Sequence, residues 1–90
     1  MINGNVQDFM SKLMYGEEMW IVYNDKKYFI QGYVEEEIYY LEISLEYNED
    51  DFYVQFSSEK PNICVEKFIS AELFEGKKFW DVEKEIEWVD

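Results

Sequence analysis

One stretch near the middle of the chain alternates so regularly that it predicts a β-strand. Apolar and aromatic side chains occupy every second position, namely Tyr39, Leu41, Ile43, Leu45 and Tyr47. The intervening positions are mostly polar, namely Tyr40, Glu42, Ser44 and Glu46. Because successive side chains of a strand point to opposite faces, one face should pack on a core while the other contacts water.

The flanking segments predict further strands joined by short turns. Met19–Tyr23 and Lys27–Val34 are rich in β-branched and aromatic residues, and Asn24-Asp25 between them is a two-residue turn signal. The acidic run Glu35–Glu37 predicts the next turn, and residues 48–51 predict another. A fourth strand is predicted from the alternation of Phe52, Val54 and Phe56 with Tyr53, Gln55 and Ser57.

The first residues of the chain predict an amphipathic helix. Its apolar stripe consists of Phe9, Met10, Leu13 and Met14. Asn5 is placed to accept hydrogen bonds from the free amides of the first turn, and Asp8 favours the positive end of the helix dipole. Gly16 is placed to end the helix.

The last third of the chain returns to helical spacing. Residues 58–62 contain the only proline and interrupt the strand pattern, and Asn62 is the predicted cap of a second helix carrying Val65, Phe68 and Ile69. Glu75-Gly76 predicts a turn. A third helix is predicted from the spacing of Phe79, Val82, Ile86 and Val89. Ile86 and Trp88 also alternate with charged residues, so an extended conformation of the last residues stays open.

These elements predict one α+β domain over residues 1–90, in the order α-β-β-β-β-α-α. An antiparallel sheet of three to four strands, with the helices packed on one face, buries both sets of apolar residues. A chain of 90 residues has room for one core, and its aromatic content of 20% makes that core rich. Trp20, Trp80 and Trp88 are expected in it.

Three features of the sequence indicate where in the cell the protein is located. Cys64 is the only cysteine and has apolar neighbours, which predicts a buried thiol in a reducing compartment. Residues 1–16 include Asp8 and Lys12 and lack an apolar run of signal-peptide length. No segment approaches the roughly 20 apolar residues of a membrane span. We therefore expect a cytoplasmic protein that does not contact membranes.

Most catalytic and cofactor chemistry lacks its usual residues here. There is no histidine to act as a base or zinc ligand, no arginine, and no glycine-rich phosphate loop. The run Asn48–Asp51 lacks the ligand spacing and central glycine of a calcium loop. We expect no enzyme, no cofactor and no metal, although a carboxylate pair in a deep pocket would favour a glycosidase instead.

The formal charge of −13 indicates what the surface binds. Such a surface repels nucleic acid and anionic membranes and attracts basic protein surfaces. Rows of carboxylates on strands or helices resemble the spacing of a phosphate backbone, and Asp81/Glu85 and Glu83/Glu87 would form such pairs on a last helix. The predicted contact carboxylates are Glu35, Glu36, Glu37, Glu42, Glu46, Glu49, Asp50 and Asp51. Tyr33, Tyr40 and Tyr53 are candidate anchors, unless a helix covers them.

Two resemblances accompany these residues. Tyr28–Tyr33, Phe74–Glu83 and Glu85–Asp90 resemble a family of short, acidic, uncharacterised proteins of Gram-positive bacteria and their mobile elements. That resemblance implies no activity. Val65–Ala71, followed by acidic residues, is similar over a shorter stretch to a small type II-A anti-CRISPR inhibitor, which implies a protein that occupies the DNA-binding cleft of a nuclease.

The expected function is therefore a non-enzymatic acidic module that blocks a basic, nucleic-acid-binding protein surface by mimicry. Two alternatives stay open at this point. An immunity protein or antitoxin that neutralises a basic toxin requires the same surface. An accessory protein would carry its charge for solubility alone.

Overall fold

A computed structural model describes residues 1–46 and 52–90. The chain forms an α+β domain in which three helices accompany a five-stranded antiparallel sheet of order β4-β3-β2-β1-β5. The elements are α1 (Val6–Tyr15), β1 (Met19–Tyr23), β2 (Lys26–Glu35), β3 (Ile38–Leu45), β4 (Tyr53–Ser58), α2 (Pro61–Ser70), α3 (Phe79–Val82), a 3₁₀ turn (Glu83–Glu85) and β5 (Glu87–Trp88). The predicted fold class is confirmed, with one strand more than expected. Tyr47, Asn48, Glu49, Asp50 and Asp51 lie outside the described residues.

Helix α1 has the ends that its sequence predicts. The Asn5 side chain accepts hydrogen bonds from the backbone amides of Gln7 and Asp8, at 2.8 and 3.2 Å. Gly16 ends the helix with a φ of +71°, a conformation that costs glycine little. Phe9 and Leu13 are buried against the rest of the core.

The core lies between the helices and one face of the sheet. Every second strand residue is buried there, namely Met19, Ile21, Tyr23, Tyr28, Ile30, Tyr39, Leu41 and Ile43. The helices contribute Phe9, Leu13, Cys64, Phe68, Phe79 and Val82. The buried Cys64 thiol and the turn at Asn24-Asp25, with φ values of 50° and 62°, are both as predicted. None of the helices within residues 1–46 and 52–90 has the length and apolar character needed to cross a membrane.

Two hydrogen bonds join the end of α1 to β2 and β3, which are inner strands of the sheet. The Gly32 amide donates to the Gly16 carbonyl at 3.1 Å, and the Tyr39 hydroxyl donates to the Leu13 carbonyl in the last turn of α1. The two glycines allow this approach, because a Cβ on Gly32 would lie 2.8 Å from the Gly16 Cα. Tyr39 thereby satisfies a buried carbonyl that the helix leaves without an intrahelical partner.

The C-terminal helix is shorter than predicted. Helix α3 ends at Val82, and after the 3₁₀ turn Trp88 pairs with Ile21 of β1. The free edge of β1 explains this, because pairing with β5 satisfies backbone groups that a longer helix would leave exposed. The alternative prediction, that the last residues are extended, is correct for Glu87 and Trp88. The carboxylate pairs Asp81/Glu85 and Glu83/Glu87, which were predicted at i,i+4 spacing on a helix, therefore do not lie on one.

Two smaller expectations are also wrong. Helix α2 begins at Pro61, after Lys60, so Asn62 lies inside the first turn and does not cap it. Proline has the φ angle of a first helical residue and needs no hydrogen bond there, which explains the start. Trp80 is 57% exposed, whereas Trp88 is half-buried and its ring packs edge-on against Phe9 at 5.6 Å.

We expect Tyr39→Phe to lower the free energy of unfolding by about 1–3 kcal/mol, because the Leu13 carbonyl would stay buried without its donor. Urea denaturation followed by circular dichroism measures the loss. Tyr23→Phe is the matched control, since Tyr23 is buried on the same face and its hydroxyl has no described hydrogen bond. An equal loss in both variants would contradict the role of the Tyr39 hydroxyl.

We expect stability to fall between pH 10 and pH 12. Burial raises the pKa of Tyr28 and of Tyr39 to about 12, with smaller contributions from the charges of Glu75 and Cys64 respectively. The unfolded chain ionises its tyrosines near pH 10, so these two groups stabilise the fold fully below that pH and lose their effect as the pH approaches 12. Urea midpoints measured across this range should decline less steeply for Tyr28→Phe than for the unchanged protein.

Candidate interaction surface

The face of the sheet opposite the core carries polar and aromatic residues. Cross-strand pairing places Tyr33 beside Tyr40, and Glu42 between Gln31 and Gln55. Tyr33 and Tyr53 are 38% and 54% exposed, so the alternative in which a helix covers them is wrong for these two. Tyr40 is half-buried and stacks on Tyr33, with ring centroids 5.1 Å apart. We call Gln31, Tyr33, Tyr40, Glu42, Tyr53 and Gln55 the tyrosine patch.

The Glu42 carboxylate is the centre of the tyrosine patch. Its Oε1 accepts a hydrogen bond from the Gln31 amide at 2.7 Å. Its Oε2 accepts from the Tyr53 hydroxyl and, at 3.1 Å, from the Gln55 amide. The Gln55 amide also donates to the Tyr33 hydroxyl at 2.9 Å. Three donors from the two flanking strands, β2 and β4, therefore hold one charged group of β3 in a fixed position on an exposed face.

The ionisation of two tyrosines reflects this arrangement. The hydrogen bond to Glu42 raises the pKa of Tyr53 to about 12, because a tyrosinate could not donate it. Partial desolvation raises the pKa of Tyr33, and the charges of Glu42 and Glu35 raise it further, while the hydrogen bond from Gln55 lowers it. The pKa of Tyr33 is thus affected by the charge of Glu42 in the tyrosine patch and by that of Glu35, next to the hairpin turn.

Acidic residues gather at one end of the sheet. Glu36 and Glu37 form the two-residue turn between β2 and β3, with φ values of 51° and 68°. The hydrogen bond between Gly32 and Gly16 places the residues that follow α1 in the same half of the sheet, four to five residues before the turn. We call Glu17, Glu18, Glu35, Glu36 and Glu37 the acidic end. Within residues 1–46 and 52–90, the one ion pair in this set joins Lys12 to Glu17, at 3.4 Å.

The opposite end of the sheet is largely neutralised. Lys26 contacts Glu75 at 3.2 Å, and Lys27 contacts Glu46 at 3.7 Å while lying 5.0 Å from the centre of the Trp20 ring. Glu46 was predicted as a contact carboxylate, and the structure places it in this pair. The ion pairs of Lys26 and Lys27 therefore reduce the net negative charge at this end, whereas Glu18, Glu35, Glu36 and Glu37 have no described ion pair.

Sequence reasoning identified the tyrosines and Glu42 but missed the glutamines and the contribution of Glu17 and Glu18. The alternation of β4 predicts that Gln55 lies on the same face as Tyr53, so the sequence contains a signal for Gln55. The position of Glu17 and Glu18 in the half of the sheet that ends in the β2–β3 turn depends on the Gly16–Gly32 contact, which no local pattern predicts.

The described surface offers two shallow depressions of about 310 and 210 Å³. The second includes Glu72 and Glu75. A general acid needs a raised pKa, whereas hydrogen bonds from Asn24 and Lys26 lower the pKa of Glu75. Among the described residues, no three side chains of the metal-binding types come close enough to share a metal ion.

Comparison with protein-family models, with curated proteins and with solved structures finds no match for this chain. The function must therefore be inferred from the tyrosine patch and the acidic end. Both favour positively charged groups, because the acidic end attracts cations over a distance and the patch offers aromatic faces beside a fixed carboxylate.

We expect Glu42→Gln to return the pKa of Tyr53 from about 12 towards the ordinary value of 10, because the amide does not stabilise the protonated hydroxyl as a carboxylate does. The tyrosine ring carbon signals in an NMR titration report this shift. Glu46→Gln is the control, since Glu46 is paired with Lys27, and it should leave Tyr53 unchanged. A Tyr53 titration that is the same in Glu42→Gln would contradict the described contact.

Proposed function

We propose that this protein is a non-enzymatic acidic binding module that blocks a basic, nucleic-acid-binding surface of another protein. The protein takes the place of a phosphate backbone, binds no nucleic acid itself and avoids membranes because of its charge. The observation that carries the proposal is the continuity of the acidic end with the tyrosine patch. Tyr33 belongs to the patch and is two residues from Glu35 on β2, so the two side chains lie on the same face of the strand.

The two parts of this surface have different physical roles. Carboxylates at the acidic end attract a basic partner over roughly one Debye length, about 8 Å at physiological salt, and so raise the rate of association. The tyrosine patch supplies contact area at low entropic cost once the partner has arrived. A lysine or arginine of the partner would lie over Tyr33 or Tyr53 and contact Glu42.

The mimicry rests on the acidic end together with Glu42. Glu42 and Glu46 are four residues apart on the strand, which corresponds to about 13 Å, and Glu46 is already paired with Lys27. Their spacing is about twice that of alternate strand residues. The carboxylates that are neighbours in the chain are those of Glu35–Glu37 and those of Glu17 and Glu18, and both sets lie in the same half of the sheet.

The proposed location is the cytoplasm, and the proposed target is a nuclease or another nucleic-acid-binding protein. The free, buried thiol of Cys64 suits a reducing compartment. The finer form of the proposal, an anti-CRISPR-like inhibitor encoded by a mobile element, draws on the resemblance of residues 65–71 and on the charge.

The test uses Glu35→Gln, Glu36→Gln and Glu37→Gln combined in one variant. The unchanged protein, immobilised and exposed to native-host lysate, should retain nucleic-acid-binding proteins at low salt and release them at high salt or on addition of duplex DNA or RNA. The variant should bind the retained protein about tenfold more weakly, since exposed pairs contribute about 0.5 kcal/mol each. Its affinity should also depend less steeply on salt.

The matched control combines Glu66→Gln, Glu72→Gln and Glu85→Gln, three exposed residues on α2, after it and in the 3₁₀ turn. The net charge changes by the same amount, and binding should change by less than about threefold. Equal weakening in both variants would mean that total charge, rather than this surface, determines binding. Partners that neither salt nor nucleic acid displaces would contradict the mimicry.

A further inference from the structure

Strand β4 forms an edge of the sheet, with β3 as its neighbour among the described strands. The other edge is short and partly covered, because Ile2 donates to the Ile86 carbonyl and accepts from the Trp88 amide, both at 2.9 Å. β4 is six residues long and has no such cover in the part of the chain that the structure describes. A free edge of this length is a ready template for another strand.

The register shows which backbone groups of β4 face outward. Leu45 donates to the Phe52 carbonyl, and hydrogen-bonded pairs alternate along an antiparallel ladder. Val54, Phe56 and Ser58 therefore also direct their backbone groups at β3. The amides and carbonyls of Tyr53, Gln55 and Ser57 consequently point away from the sheet.

The composition of this edge is unusual for the chain. Residues 52–58 contain no charged residue and no proline, although 32% of the sequence is charged. Proteins usually protect edge strands with lysine, proline or a bulge. Here the one described group that contacts the outward backbone is the Lys67 ammonium, which donates to the Ser57 carbonyl at 2.9 Å.

We propose that the β4 edge accepts an extended, lysine- or arginine-rich segment of the partner as a sixth strand. This inference rests on the proposed function and specifies how the partner is held. The outward groups of Tyr53 and Gln55 and the amide of Ser57 provide the main-chain hydrogen bonds, since the Ser57 carbonyl already accepts one from Lys67. Alternate side chains of the added strand lie on the open face of the sheet, beside the tyrosine patch.

Charge selects this occupant over a second copy of the chain. Each copy carries a formal charge of −13, so two copies repel each other overall. A basic strand is attracted by the same charges. Two strand spacings, about 9.5 Å, separate its backbone from β3, a distance that its lysine or arginine side chain and Glu42 span together.

The test measures binding of an acetylated and amidated seven-residue peptide that alternates lysine with valine. In the unchanged protein, the peptide should bind at low salt and slow the hydrogen exchange of the Tyr53, Gln55 and Ser57 amides. Gln55→Pro removes one outward amide without removing a bond to β3, so peptide affinity should fall about tenfold. Gln55→Ala is the matched control, because it loses the same side chain but keeps the amide.

A second experiment tests the added strand even if the Gln55→Pro variant does not fold. The same peptide, methylated on alternate backbone nitrogens, keeps its charge but loses its strand hydrogen bonds, and it should bind about tenfold more weakly to the unchanged protein. Equal affinity for both peptides would overturn the added strand while leaving the proposed function standing. The proposed function itself is tested separately, by the variant that combines Glu35→Gln, Glu36→Gln and Glu37→Gln.

Self-association is the remaining outcome. Analytical ultracentrifugation should show a monomer at low and high protein concentration. A dimer that Gln55→Pro abolishes and Gln55→Ala retains would show that a second copy occupies the edge, which overturns the basic segment as its occupant. A lack of peptide binding by the folded, unchanged protein at low salt would overturn the inference as well.

Discussion

The hydrogen bond from the Tyr39 hydroxyl to the Leu13 carbonyl, made across Gly32, is the contact on which the remaining architecture depends. It holds the end of α1 against the face of the sheet that the apolar alternation of the strands makes the core. The other face carries the tyrosine patch. The same junction brings Glu17 and Glu18, which follow α1, to the half of the sheet that ends in the β2–β3 turn, so the acidic end combines a local charge run with core packing.

Concentrating negative charge in this way opposes folding, because like charges repel in the compact state. The structure offsets the cost in two ways. Its aromatic side chains pack on one another, as in the stacking of Phe9 on Phe79 with centroids 5.4 Å apart. Its described lysine pairs lie mainly at the far end of the sheet, at Lys26 and Lys27. Two of the described lysine ion pairs thus lie at one end of the sheet, and the carboxylates of Glu35–Glu37 lie at the other.

Local signals in the sequence predict most of the fold. The Asn5 cap, the Gly16 stop and the alternation from Tyr39 to Ile43 act within a few residues, and each is confirmed. The sequence leaves the last residues open between helix and strand, because spacings of three and four from Phe79 to Ile86 also fit a short helix, a 3₁₀ turn and a strand. The deciding factor is the free edge of β1, which lies more than 60 residues away in the sequence. The hydrogen bonds of Gln31 and Gln55 to Glu42 were equally hidden, since they require the register of three strands.

Glu42 already accepts hydrogen bonds from its neighbours in the tyrosine patch, and this reduces its capacity to contact a partner. A carboxylate accepts about four hydrogen bonds, and three are described here. One direction therefore remains for a partner's cation, and the side chain that receives it is already fixed. Binding then loses little rotational freedom on this side of the interface. Under the proposed function, Glu35–Glu37, whose side chains have no described hydrogen bonds, would attract a partner without orienting it, whereas Glu42, held by its neighbours one strand in from the β4 edge, would orient it.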